Sequence, residues 1–96
     1  MVIEKLTFKV DRIDHEAWLR IEEQTWSRFL ETRPGFVKKE MWVDPENPDE
    51  IIAMIWWESR ELWFSISQSD IDRVDAEMGT WFRQGTMQTY EVIRES

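Results

Sequence analysis

Residues 51–57, IIAMIWW, are seven consecutive apolar side chains in a sequence where apolar and charged residues are otherwise interleaved. Five of the seven are β-branched or aromatic and the run is far too short to span a bilayer, so it reads as a strand. In a strand Ile51, Ala53, Ile55 and Trp57 face one way, and Ile52, Met54 and Trp56 face the other. Both faces therefore need a cover. A layer of helices supplies one, and a second copy of the chain is the economical source of the other, because soluble monomers rarely expose large apolar patches.

The surrounding pattern supplies the helices. Residues 2–10 alternate, with Val2, Leu6, Phe8 and Val10 on one face and Lys5, Thr7 and Lys9 on the other. Asp14 stands as the N-cap of a helix that runs to about Arg33 and stops at Pro34-Gly35. Residues 36–43 and 51–58 form a hairpin around the loop DPENPDE. Ser59 caps a short helix, and the spacing of Ile71, Val74, Met78, Trp81 and Phe82 carries a second long helix to about Gly85. The segment TMQTYEVIR closes the chain as a strand. The order β-α-β-β-α-β predicts an α+β, ferredoxin-like protomer: a four-stranded antiparallel sheet with its helices on one face.

Bulk properties narrow the function. Ninety-six residues without a Pro- or Gly/Ser-rich linker predict a single domain over residues 1–96. The net charge of -8, from 12 basic and 20 acidic residues, argues against nucleic acid as a partner. The absence of cysteine removes disulfides, thiolate metal sites and thiol nucleophiles. The start MVIEKLTFKV lacks a signal-peptide apolar core and no run is long enough to cross a bilayer, so a cytoplasmic protein without a membrane partner is expected. Phosphate-binding glycine loops, nucleophile elbows and zinc-binding H-E-x-x-H helices are all missing.

Three acids break the amphipathic pattern. On a helical wheel Glu22 falls within the sector of Trp18, Leu19, Ile21, Thr25, Trp26, Phe29 and Leu30, whereas Glu23, Arg20, Ser27 and Glu31 lie outside it. Glu4 shares the side of Leu6 and Phe8 on the first strand, and Asp75 borders the Ile71–Met78–Phe82 stripe. If the three converge between sheet and helices, Glu22 and Glu4 are candidate proton acceptors or polar anchors. Trp18, Trp26, Trp63, Asp75, Met78 and Trp81 are the candidate substrate-binding walls. The competing reading has Glu22 paired with a base such as Lys38 or Lys5 and the tryptophans serving as core. His15, the one histidine, lies about two turns from Glu22, and no ligand spacing supports a metal site there.

The same strand and helix order, with RPGF after the first helix and IWWESRELW running from strand into helix, resembles the dimeric α+β barrel superfamily that includes the antibiotic biosynthesis monooxygenase-like proteins. PGF, DPENPDE, WESRELW and Asp70 together resemble a small uncharacterised family within it, over nearly the whole chain. The resemblance implies a homodimer joined sheet to sheet, with a ligand cleft between each sheet and its helices. Haem-degrading members carry a histidine on the second long helix and an asparagine on the first strand; residues 70–84 contain no histidine and Glu4 takes the asparagine's place, so neither haem nor another cofactor is expected. Two functions follow as expectations. One is a small-molecule-binding protein, or a cofactor-independent monooxygenase-like enzyme, acting on an aromatic or apolar substrate. The other is a noncatalytic homodimer whose cleft is filled by Trp18, Trp26, Phe29 and Met78.

Overall fold

A computed structural model describes all of residues 1–96. Strands β1 (Val2–Lys9), β2 (Phe36–Asp44), β3 (Asn47–Trp57) and β4 (Thr86–Glu91) form one antiparallel sheet in the order β2-β3-β1-β4. The apolar run 51–57 lies in β3, a central strand paired with both β1 and β2. Its inner residues Ile51, Ala53, Ile55 and Trp57 are each at most 2% exposed, which is the face the helices cover.

That cover comes from α1 (His15–Glu22), a π-helical turn (Glu23–Ser27) and α2 (Arg28–Glu31) in one continuous segment, followed later by α3 (Arg60–Trp63) and α4 (Gln68–Glu77). Ser59 and Ser67 cap α3 and α4 by accepting the backbone N–H of Leu62 and of Asp70, both at 3.2 Å. The apolar core is divided in two. Val2, Leu30, Ile55, Trp57 and Trp63 form one buried cluster, and Val10, Trp18, Ile51 and Met78 form the other. Trp26 packs against both.

The opposite face of β3 is not bare. Met54 is buried between its cross-strand neighbours Lys5 and Glu40, while Ile52 and Trp56 are half-buried. The Lys38 ammonium sits 4.3 Å above the Trp56 ring and lies 3.4 Å from the Glu40 carboxylate. Long polar stems thus coat part of this face. Trp42 and Tyr90 remain 45% exposed on it.

Three boundaries differ from expectation. The hairpin turn is only Pro45-Glu46, because β3 begins at Asn47 and a register irregularity between Trp42 and Asp44 accommodates the proline-containing start of that strand. Asp44 accepts the Glu46 N–H at 2.9 Å and so fixes the turn. The second long helix stops at Glu77 rather than near Gly85: Gly79 adopts φ +58°, the left-handed termination that favours glycine, and residues 79–81 form a 3-10 turn. Asp14 precedes α1 but makes no side-chain cap, because the 3-10 turn at Arg12–Asp14 leads directly into the helix.

Gly35 ends the first helical segment at φ +85°, and a Cβ there would lie 2.5 Å from Leu62 Cβ. Both backbone strain and steric conflict oppose a side chain. Gly35→Ala is expected to lower stability by about 2 kcal/mol or more, measured as a shift of the urea midpoint at unchanged slope.

Candidate functional site

The site is built around an irregularity in β2. Phe36 pairs with Trp57, but Lys38 pairs with Trp56 and Lys39 with Ile55, so Val37 is an extra residue in the ladder. A bulge of this kind reverses the alternation beyond it. Lys39, rather than Lys38, therefore joins Phe36 on the inner face, and the expected pairing of Glu22 with Lys38 or Lys5 is replaced by one with Lys39. Lys38 lies on the outer face over Trp56, and Lys5 flanks Met54 on that same face.

Glu22 is 4% exposed, with Lys39 Nζ donating to its Oε1. A second donor comes from the helix itself. Ser27 Oγ donates to the same carboxylate, at 2.5 Å to Oε1 and 3.1 Å to Oε2. A regular α-helix would turn Ser27 away, as the wheel predicted. The π turn, in which the Arg28 N–H reaches the Glu23 carbonyl five residues back, brings positions 22 and 27 together.

Glu4 and Asp75 lie on opposite layers, one on β1 and one on α4. Each accepts an indole N–H: Trp57 Nε1 donates to Glu4 Oε1 at 3.2 Å, and Trp26 Nε1 donates to Asp75 Oδ1 at 2.9 Å. Burial raises the Glu4 pKa above its ordinary value, against the opposing effects of the Trp57 hydrogen bond and the Lys39 charge. Burial also raises that of Asp75; Trp26 opposes the shift and Asp72 adds to it.

These groups surround a cavity of about 300 Å³ between sheet and helices. Glu4, Glu22, Asp75 and Lys39 supply its polar wall together with Arg83 and Gln84; Trp18, Trp26, Trp63 and Met78 are among the apolar residues. Two groups expected at the site stand elsewhere. Trp81 does not line the cavity, because Gly79 turns the chain away; it packs at the edge of the Val10–Trp18 cluster, where its carbonyl accepts the Trp18 indole N–H at 2.9 Å. Phe29 is absent from the lining and packs edge-on against Trp26, so the cavity is not filled by the four side chains that a closed core would need. His15 Nε2 donates to the Val10 carbonyl at 2.9 Å, and no three His, Cys, Asp or Glu side chains converge as metal ligands would.

Lys39, Ser27, Arg83, Gln84 and Gly85, which also line or support the cavity, escape a sequence reading. A buried acid needs a partner, which signals a base somewhere; only the bulge decides which lysine of the KK pair turns inward. Gly85 packs tightly here, since a Cβ would lie 2.8 Å from the Phe8 ring.

No family model matches the sequence, and no curated protein does. Solved structures do match in fold: the four-stranded antiparallel sheet with its helices is shared with, among others, a structure described as an antibiotic biosynthesis monooxygenase. The cofactor-independent oxygenase SnoaB from Streptomyces nogalater is 13% identical, with a TM-score of 0.69 over 98% of this chain and 94% of its own. The haem-degrader MhuD from Mycobacterium tuberculosis, with two haems bound in its active site, is 14% identical at a TM-score of 0.75, over 100% of this chain and 99% of its own. A conserved protein of unknown function from Bacteroides thetaiotaomicron is 8% identical at 0.72, over 95% and 96%. At such identities the likeness carries the fold and not a chemistry.

Removing Lys39 would leave the Glu22 charge buried without its ion partner. Lys39→Met is expected to cost about 3–5 kcal/mol in urea unfolding, and Glu22→Met combined with Lys39→Met to recover most of it. For Glu4 the sign is opposite to that of a paired carboxylate: folding favours its protonated form. That contribution is present below the unfolded value of 4.5 and is lost as pH rises through the folded one. Glu4→Gln keeps an acceptor for Trp57, so it is expected to become more stable relative to the parent chain as pH rises from about 4 to 7, read from urea midpoints at each pH.

Proposed function

We propose that this chain binds a small aromatic or apolar molecule in the cavity and, in its most specific reading, acts on it as a cofactor-independent monooxygenase-like enzyme. The observation that carries the proposal is an open, aromatic-walled cavity of about 300 Å³ that reaches one buried and two half-buried carboxyl groups. Its volume is at the lower end for small-molecule sites, which suits a ligand of one or two fused rings. Within this reading Glu4 is the proton acceptor: burial makes it a stronger base than an exposed carboxylate, and no lysine or arginine is ion-paired with it. Glu22 is the restrained anchor, its charge balanced by Lys39. Trp18, Trp26, Trp63 and Met78 provide the apolar contact, and Asp75 a polar contact on the helical side.

The fold is shared with a cofactor-independent oxygenase and with a haem-degrader. The residues here fit the first better. No histidine lines the cavity and its inner lysine is engaged by Glu22, so neither an imidazole ligand nor a free cation for a haem carboxylate is offered at its centre.

The outer face of the sheet supports self-association as a second part of the proposal. Ile3, Ile52, Trp56, Trp42 and Tyr90 lie on one side of the sheet, and the helices occupy the other. A second copy presenting the same face would bury this surface through an isologous contact. Light scattering at micromolar concentration should give the mass of a dimer, and Trp42→Glu with Trp56→Glu should reduce it to that of a monomer.

Ligand binding is tested separately. Naphthalene-class compounds should produce saturable calorimetric titration, and Ala53→Leu, which extends a side chain from the sheet into the cavity, should abolish it while circular dichroism stays unchanged. Absence of saturable binding across such a panel would leave the noncatalytic scaffold as the better account.

A further inference from the structure

The polar groups of the cavity are unequally matched. Glu22 has Lys39 and Ser27, but Glu4 and Asp75 form no salt bridge, and each gives only one oxygen to an indole N–H. Glu4 Oε2 and Asp75 Oδ2 accept no hydrogen bond from the protein, yet no fully buried side-chain nitrogen or oxygen lacks a partner. Both oxygens are therefore accessible, and both belong to half-buried residues that line the cavity. They stand on facing layers, Glu4 from the sheet and Asp75 from α4.

The remaining cation on the lining does not answer them. Arg83 donates through Nη1 to the carbonyls of Thr80 at 3.1 Å and Phe82 at 2.9 Å, which ties its guanidinium to its own strap. An indole N–H needs only a neutral acceptor, so two carboxyl groups exceed what Trp57 and Trp26 require. Aromatic walls with spare carboxylates are a setting for a cation: ring faces attract positive charge, and a charge-assisted hydrogen bond is stronger in a desolvated site.

We propose that the cavity selects a flat aromatic ligand bearing a protonated amine, with Glu4 Oε2 and Asp75 Oδ2 as acceptors for its N–H groups. This rests on the reading of the cavity as a ligand site and specifies its substrate class. An anionic analogue meets three carboxyl groups of which one is charge-paired. A neutral analogue keeps the apolar contact but leaves both acids without a salt-bridge partner.

The test is calorimetric titration of the full chain at neutral pH with 2-naphthylmethylamine, 2-naphthylmethanol and 2-naphthoate, which share one ring system and differ in charge. The amine should bind roughly tenfold more tightly than the alcohol and the carboxylate most weakly. Glu4→Gln and Asp75→Asn preserve acceptors for the two indoles; each should weaken the amine several-fold more than it weakens the alcohol. Equal affinity for alcohol and amine, or an amine preference that survives in the double variant, would overturn the inference while leaving the apolar cavity as a binding site. If none of the three compounds binds, the reading of the cavity as a ligand site falls with it.

Discussion

The architecture turns on a single ion pair placed where apolar packing would be cheaper. Glu22 and Lys39 link the helical layer to the sheet at the cavity, whose lining draws on both apolar clusters. Two aliphatic side chains at these positions would fill space and avoid the cost of desolvating opposite charges. The pair instead holds the two layers together through directional contacts, with Ser27 and Lys39 both donating to one carboxylate. A core organised this way keeps a hollow beside its polar link, where a uniformly greasy interior would collapse.

The tryptophans and the acids explain one another to a degree. Trp57 is wholly buried and its indole N–H would be orphaned without Glu4, while the half-buried Trp26 gives its N–H to Asp75. Trp18 solves the same problem with a backbone carbonyl. A tryptophan in a core brings a donor that must be satisfied, and satisfying it draws an acceptor inward. What this does not account for is the choice of carboxylates over amides, and that excess of acceptor capacity is the chemical character of the site.

Much of the scaffold was legible because it rests on short-range periodicity. The two-sided run at 51–57 identified a strand, the wheel placed Glu22 inward, and the Ser59 cap marked a helix start. What escaped was every place where one residue shifts the count. Val37 changes which lysine faces the core, Gly79 removes Trp81 from the stripe to which its spacing assigned it, and the π turn brings Ser27 to Glu22. Such steps are decided by tertiary packing and leave no composition of their own. The DPENPDE segment failed differently: its prolines suggested a long loop, whereas a ladder irregularity lets the strand start within it.

The π turn also makes the first helical segment a ruler with two scales. Residues before Glu23 and after Ser27 belong to stripes that cannot be indexed on one wheel, because an extra residue is stored between them. Excising one position from that coil would give a smoother rod with a continuous stripe. It would also swing the Ser27 hydroxyl away from its acid. The helix thus trades regularity for reach, bringing a small side-chain hydroxyl of its own to a charge that the opposite layer could otherwise meet only with a single flexible amine.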